Sequence, residues 1–454
     1  MNYILKHKTK HILLGVIGMF VYCLSTAQGN FDFTNNLNKQ SISFKLLNNL
    51  IVFPIEVNGE KLNFILDSGV GGTVLFNLNA RDSIKLNNVK RVKLQGLGGE
   101  EPINAAVSRG NTFTINSIEN TNELVYVIDN DSFDLSSKLG ITVNGIIGYS
   151  LLKNLEVKIN YSTKKITFYK KGTFDYSKCR KCESFNLEFY QLKPYMNIEA
   201  KLSSATQKAT PIKVLVDSGG SDAMWLFTNS HPDIKGPEKY FHDFLGEGLS
   251  GSIYGKKSKI KSLVIGSFEM HNPTVSYPDS LSIVNALKYA ERNGSLGGSI
   301  LRRFTVIFDY NSAKITLKKG GNFNKPFRYN MSGIELVHNG KILVKERDKN
   351  KSSFSFESSA NSPNGNRVHI DYNYKFTFKP SYKIFKLVPN SPADNAGLMV
   401  GDVVIKINGK YTFEMDLDEI IGTYFQKENK RINMVVERNG QDFDFNFTLK
   451  DILK

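Results

Sequence analysis

A chain of 454 residues is long enough for two or three domains with sizeable cores. Its net charge of +16 raises the question of a polyanionic partner, but the 59 Lys and Arg are spread along the chain, which argues against nucleic acid. The densest run, Lys256-Lys257-Ser258-Lys259-Ile260-Lys261, alternates with small and apolar residues and reads as a solvated loop or strand face.

The N-terminus carries Lys6, Lys8 and Lys10, then an uncharged apolar run from Ile12 to Leu24 and Ser25-Thr26-Ala27. That is the plan of a cleavable signal peptide, residues 1–27, and it predicts export to the periplasm or the exterior. The run is short for a membrane span, so none is expected once it is removed. Cys23 follows Tyr22, not the small residue a lipid-anchored leader needs.

Residues 28–50 read as a lead-in strand. Ile51 to Leu66 reads as a hairpin turned at Asn58-Gly59. It ends in Asp67-Ser68-Gly69, and a second apolar run from Val214 ends in Asp217-Ser218-Gly219. A carboxylate at the end of a buried strand is costly unless its surroundings use it. The context is repeated as well: Asn144-Gly145-Ile146-Ile147-Gly148 matches Asn293-Gly294-Ser295-Leu296-Gly297, and Val157 to Tyr161 matches Val306 to Tyr310. The unit is therefore duplicated, and each copy supplies one Asp to a site on a pseudo-two-fold axis. Asp222 and Asp309 read as solvated strand or turn residues; the counterpart of Asp309 is Asn160, which speaks against a symmetric catalytic role.

These paired motifs, over roughly residues 45–320, resemble the pepsin/retropepsin-type aspartic proteases in a bacterial form with both lobes on one chain. The resemblance implies a mainly β, two-lobed acid-protease β-barrel fold. Its lobes would be residues 28–174 and 175–325, with Asp67 and Asp217 as the catalytic pair. Ser68, Gly69, Ser218 and Gly219 would form the supporting turns; Ser stands where many members carry Thr. Glycine-rich hairpin tips at Gly96, Gly98 and Gly99, and at Gly246 and Gly248, would be mobile flaps. No cofactor or metal is implied. The only His-x-x-x-His pair, His7 and His11, lies in the leader, and no Gly-x-Ser-x-Gly elbow is present.

Cys179 and Cys182 lie between the repeats, without the second pair a zinc site needs. A local disulfide, formed after export, is the expectation.

From residue 326 the pattern changes. Gly333 to Val337 and Lys341 to Val344 read as a hairpin around Asn339-Gly340, and Asp348 to Asn366 reads as a long polar loop. Ser391-Pro392-Ala393 then caps a short helix that Gly397 ends. Leu417, Ile420, Ile421 and Tyr424 fall at helical spacing. The run Gly397-Leu398 through Gly401-Asp402-Val403-Val404 is similar to a PDZ domain (α+β), which would span 326–454. Such a domain takes an extended peptide as an added strand. Its carboxylate-binding loop is expected near Phe378 to Lys383. The resemblance implies capture of peptide or protein substrates, or of a partner peptide, by raising local concentration. The function expected is exported aspartic endopeptidase. The alternative is a catalytically silent peptide-binding or adaptor protein that keeps the lobes.

Overall fold

The computed structural model describes residues 29–78, 84–99, 101–128, 134–202, 208–357 and 367–454, with side chains of 348–357 and 367–372 outside the description. The expected leader, 1–27 with Cys23, therefore lies outside the described residues.

Each half is built on the same strand crossing. In the first, Leu50–Val57 and Glu60–Leu66 form the expected hairpin, turned by Asn58 and Gly59 at φ 49° and 95°. Glu60–Leu66 pairs in parallel with Gly145–Ile147, and that strand pairs antiparallel with Thr73–Leu75. In the second half, Thr210–Val216 pairs in parallel with Gly294–Leu296, which pairs antiparallel with Met224–Leu226. The last three residues of each central strand are covered on both faces, so Phe64-Ile65-Leu66 and Val214-Leu215-Val216 read as unbroken apolar runs rather than an alternation. Leu66, Ile147, Val216 and Leu296 are all fully buried.

A third sheet joins the halves. Leu155–Asn160 pairs antiparallel with Phe304–Asp309, its own counterpart, about the pair Lys158 and Ile307, as a pseudo-two-fold axis requires. Lys165–Lys170 and Lys39–Ser43 extend it on one side, Lys314–Lys319 and Cys182–Asn186 on the other. One apolar core runs through all three sheets. Cys179 and Cys182 form the local disulfide, Cα atoms 5.6 Å apart.

The C-terminal part has its own sheet and core. Ile334–Glu357, Arg367–Leu387, Val403–Ile407, Arg431–Arg438 and Gln441–Thr448 lie side by side. Ser391 caps Pro392–Asn395 by accepting from the Asp394 amide at 3.3 Å, and a capping box of Asp416 and Glu419 starts Leu417–Gly422. Ile334, Ile420, Tyr424, Ile432 and Val436 are fully buried between sheet and helix. Each such side chain contributes roughly 1.5–3 kcal/mol by burial.

Two expectations fail here. Asn339-Gly340 is not a turn: it lies at a register shift inside the long strand Ile334–Glu357, between the pairs His338–Tyr382 and Lys341–Pro380. Residues 348–357 continue that strand rather than forming a loop, and 358–366 lie outside the described residues. An Asn-Gly pair turns a chain only when the following strand finds its partner in the preceding one; here both segments share Arg367–Leu387.

Candidate active site

Asp67 and Asp217 follow the two central strands directly. Their turns are locked together reciprocally. The Ser218 hydroxyl donates to the Leu66 carbonyl at 2.8 Å and accepts from the Ser68 amide at 2.9 Å. The Ser68 hydroxyl donates to the Val216 carbonyl at 2.7 Å and accepts from the Ser218 amide at 2.9 Å. Both serines are buried. The amides of Gly69 and Gly219 donate to Oδ1 of Asp67 and Asp217, at 2.7 and 3.0 Å. A Cβ at position 219 would stand 2.2 Å from Asp67 Cγ, so the approach of the two turns requires glycine there.

The two carboxyls lie close together: a Cβ on Gly69 would stand 3.1 Å from Asp217 Oδ1 and 3.2 Å from Asp67 Oδ1. Burial first, and the charge of Asp217 second, push Asp67 up to about 8. Burial raises Asp217 too, opposed mainly by the Arg292 guanidinium. Each carboxyl thus opposes the ionisation of the other.

The pair opens into a cavity of about 410 Å³. Sequence reasoning missed three of its neighbours. Lys193 and Arg292 line the cavity; Tyr310, a buried residue whose ionisation both carboxyls oppose, has a hydroxyl without a hydrogen-bond partner among the described residues. Comparing the halves position by position would have found the two cations, because they replace Leu50 and Val143 of the first copy.

Two hairpins close over the cavity. One joins Lys90–Leu94 to Ile103–Ile115 and carries Gly96, Gly98 and Gly99; the other joins Phe241–Gly248 to Gly251–Lys259 and carries Gly246 and Gly248. Their tips touch. The Ser250 amide donates to Leu97 O at 2.9 Å, and the Gly96 amide to the Ser250 hydroxyl at 3.0 Å. Gly98, at φ 100°, passes so near Gly251 that a Cβ would lie 1.9 Å from its carbonyl oxygen.

Three surface expectations are corrected. Asp222 is not simply solvated: it accepts from Trp225 Nε1 at 2.9 Å and the Ser276 hydroxyl at 2.6 Å, and lies 3.6 Å from Lys257. Asp309 is buried and holds its turn by accepting from the Ser312 amide at 3.0 Å and the Tyr176 hydroxyl at 3.1 Å. Lys257, inside the basic run, pairs with Asp243 at 2.8 Å, and Lys259 pairs with Asp451 at 2.8 Å. A strand that alternates charge with small residues is solvated only where nothing docks on it, and the C-terminal part docks here.

That docking is extensive. Asp418 accepts from the Asn48 amide at 3.1 Å, Phe241 packs on Tyr329 with ring centroids 5.3 Å apart, and Lys386 sits 3.8 Å from the Phe244 ring centre. Lys138, paired with Glu247, lies 5.3 Å from the Phe385 ring centre. Leu336, Val337, Phe385 and Ile421 line the same cavity as Asp67 and Asp217. Phe378 to Lys383 is not a loop but the middle of Arg367–Leu387, paired with Ile334–Glu357. The sheet edge beside Leu417–Gly422 is Ile334–Glu357, which has no further strand beside it among the described residues but packs against the helix Leu135–Leu139; the turn Tyr329 to Gly333 precedes it.

Two protein families match parts of the chain. Residues 53–151 match a family described as aspartyl protease, and residues 386–438 match the PDZ domain family. Among curated proteins, the chain is 26% identical over 160 residues to a serine protease Do-like HtrA of Lactobacillus helveticus, covering 35% of this chain and 38% of that one. It is 34% identical over 70 residues to the serine protease HTRA1 of Xenopus tropicalis, covering 15% and 14%. The chain thus spans less than two-fifths of either relative. An aspartic proteinase from Irpex lacteus aligns in structure with a TM-score of 0.42 at 13% identity, over 63% of this chain and 99% of that one. The protein is thus a mainly β chain that carries an aspartyl protease domain and, C-terminal to it, a PDZ domain.

Proposed function

We propose that the protein is an exported aspartic endopeptidase in which Asp67 and Asp217 share one proton. The ionised carboxyl takes a proton from the attacking water while the protonated one donates to the scissile carbonyl. The observation that carries this reading is the reciprocal Ser68 and Ser218 lock, which brings the two carboxyls together at one cavity floor. The two hairpin tips act as flaps that exclude water from the bound peptide. The PDZ domain takes an extended peptide along its edge strand and delivers the rest of that chain to the adjoining cavity.

The curated relatives are serine proteases by name. Among the described residues, however, no histidine is hydrogen-bonded to a serine or cysteine side chain, which supports the carboxyl pair as the chemistry here.

The test is cleavage of a broad peptide library between acid and neutral pH by the mature protein, Asp67→Asn and Asp217→Asn. Each variant is expected to lose on the order of 10⁴-fold in turnover, because the pair acts as a unit. Near-normal turnover in either variant refutes the assignment. A silent wild type moves the reading to a peptide-binding protein.

A further inference from the structure

The duplication makes the cavity comparable with itself. Leu50 and Lys193 each follow a tight two-residue turn with positive φ, Asn48-Asn49 in one half and Gln191-Leu192 in the other. Val143 and Arg292 each precede an asparagine whose Oδ1 accepts a backbone amide, Asn63 at 3.2 Å and Lys213 at 2.8 Å. At the matching positions the first-half wall is apolar, with Leu50, Ile65, Val74 and Ile146, although Asn48, Gln95 and Lys138 also line that side. The second-half wall presents Lys193, Trp225, Arg292 and Ser295.

The two cations are built in. Arg292 is 4% exposed. Its Nε donates to Gly294 O at 3.1 Å, its Nη2 to the Ser295 hydroxyl at 2.6 Å, and its guanidinium lies 5.0 Å from the Phe227 ring centre. Neither cation has a salt-bridge partner among the described residues; burial and the charge of Arg292 lower Lys193 against the pull of Asp67 and Asp217, and burial lowers Arg292 against Tyr195 and Asp217. The other charges of the cavity are committed elsewhere: Lys138 to Glu247, Asp222 to Lys257, and Glu335 to the cluster of Asp243 and Lys257. A pair of carboxyls holding one proton carries a single negative charge, so two cations beside it leave one positive charge uncompensated. An uncompensated buried charge is expensive, and a ligand that supplies the counter-charge recovers that cost.

We propose that Lys193 and Arg292 form a carboxylate-recognising subsite, so that the protease selects peptides with an apolar side chain on the first-half side of the scissile bond and a carboxylate on the second-half side. The carboxylate is either an Asp or Glu side chain or the peptide's own C-terminus. The proposal rests on the peptidase reading above.

The experiment compares peptides that differ only at the position on the second-half side: Glu, Gln or Lys in an internal position with blocked ends, and a short peptide with a free or an amidated C-terminus. Cleavage by the full mature chain is mapped by mass spectrometry and kcat/KM is measured. The wild type is expected to favour Glu over Gln about tenfold or more, as one charge-assisted hydrogen bond provides. If the terminal carboxylate is the ligand instead, the free-ended peptide shows that preference and the internal Glu does not. Lys193→Met is expected to bring the ratio towards one, and Lys193→Glu to favour the Lys peptide. These are ratios within one protein, so partial unfolding does not move them. Equal cleavage of all peptides by the wild type overturns the subsite and leaves the peptidase standing. Cleavage of none overturns both.

Discussion

Replacing Ser218 by Ala tests the lock between the lobes most directly. The lost hydroxyl leaves the Leu66 carbonyl and the Ser68 amide without their partners, at a place where Ser68 is 0% and Ser218 1% exposed. Water does not reach such groups, and each orphan costs about 1–3 kcal/mol. The sum is roughly 2–6 kcal/mol, a large part of the about 5–15 kcal/mol that holds a typical domain. The Ser68 hydroxyl keeps its own two bonds, so the turns stay in contact but lose half of what fixes them. Urea unfolding reports the loss, followed by fluorescence of Trp225, the single tryptophan and a lining residue of the cavity. Peptide cleavage should fall as well, since a small displacement between two acting carboxyls is costly in rate. An unfolding free energy within about 0.5 kcal/mol of wild type, below the cost of even one orphaned group, would refute the reasoning.

Three further outcomes are expected. Gly219→Ala places a methyl 2.2 Å from Asp67 Cγ, so kcat/KM should fall by about 10²-fold or more while the urea midpoint shows the chain still folded; unimpaired cleavage would be incompatible with this geometry. Glu335, pushed up to about 7 by burial and by Asp243, gives a stability contribution that is full below pH 4.5 and lost as pH rises through 7; Glu335→Gln should remove that slope from the urea midpoint, and parallel pH curves for the two proteins would exclude it. Ending the chain at Lys325 removes Leu336, Val337, Phe385 and Ile421 from the cavity wall, so KM should rise even for short peptides, against the simpler expectation of a separable capture module; unchanged short-peptide kinetics would restore that expectation.

The repeated apolar runs, each ending in Asp-Ser-Gly, made the crossing strands and the approach of two carboxyls legible, because a duplication of local sequence carries a two-fold with it. The PDZ motif was legible for a similar reason: a capped helix, a Gly stop and Asn-Gly turns are local devices. What remained hidden depends on partners far along the chain. Lys257 reads as solvated until Asp243 and Asp222 are brought to it. Asn339-Gly340 reads as a turn until Arg367–Leu387 is seen to span both sides of it. Arg292 reads as an ordinary basic residue unless the position is compared with Val143, its apolar twin.

The antiparallel pairing of Leu155–Asn160 with its own counterpart, on one continuous chain, also bears on how such a cleft diversifies. In an assembly of two identical halves, any substitution on one wall appears on the other, and Lys and Arg at both places would surround the carboxyls with twice the positive charge. The covalent link releases that constraint. One half keeps Leu50 and Val143, the other carries Lys193 and Arg292, and the cleft acquires a direction that two identical halves could not give it.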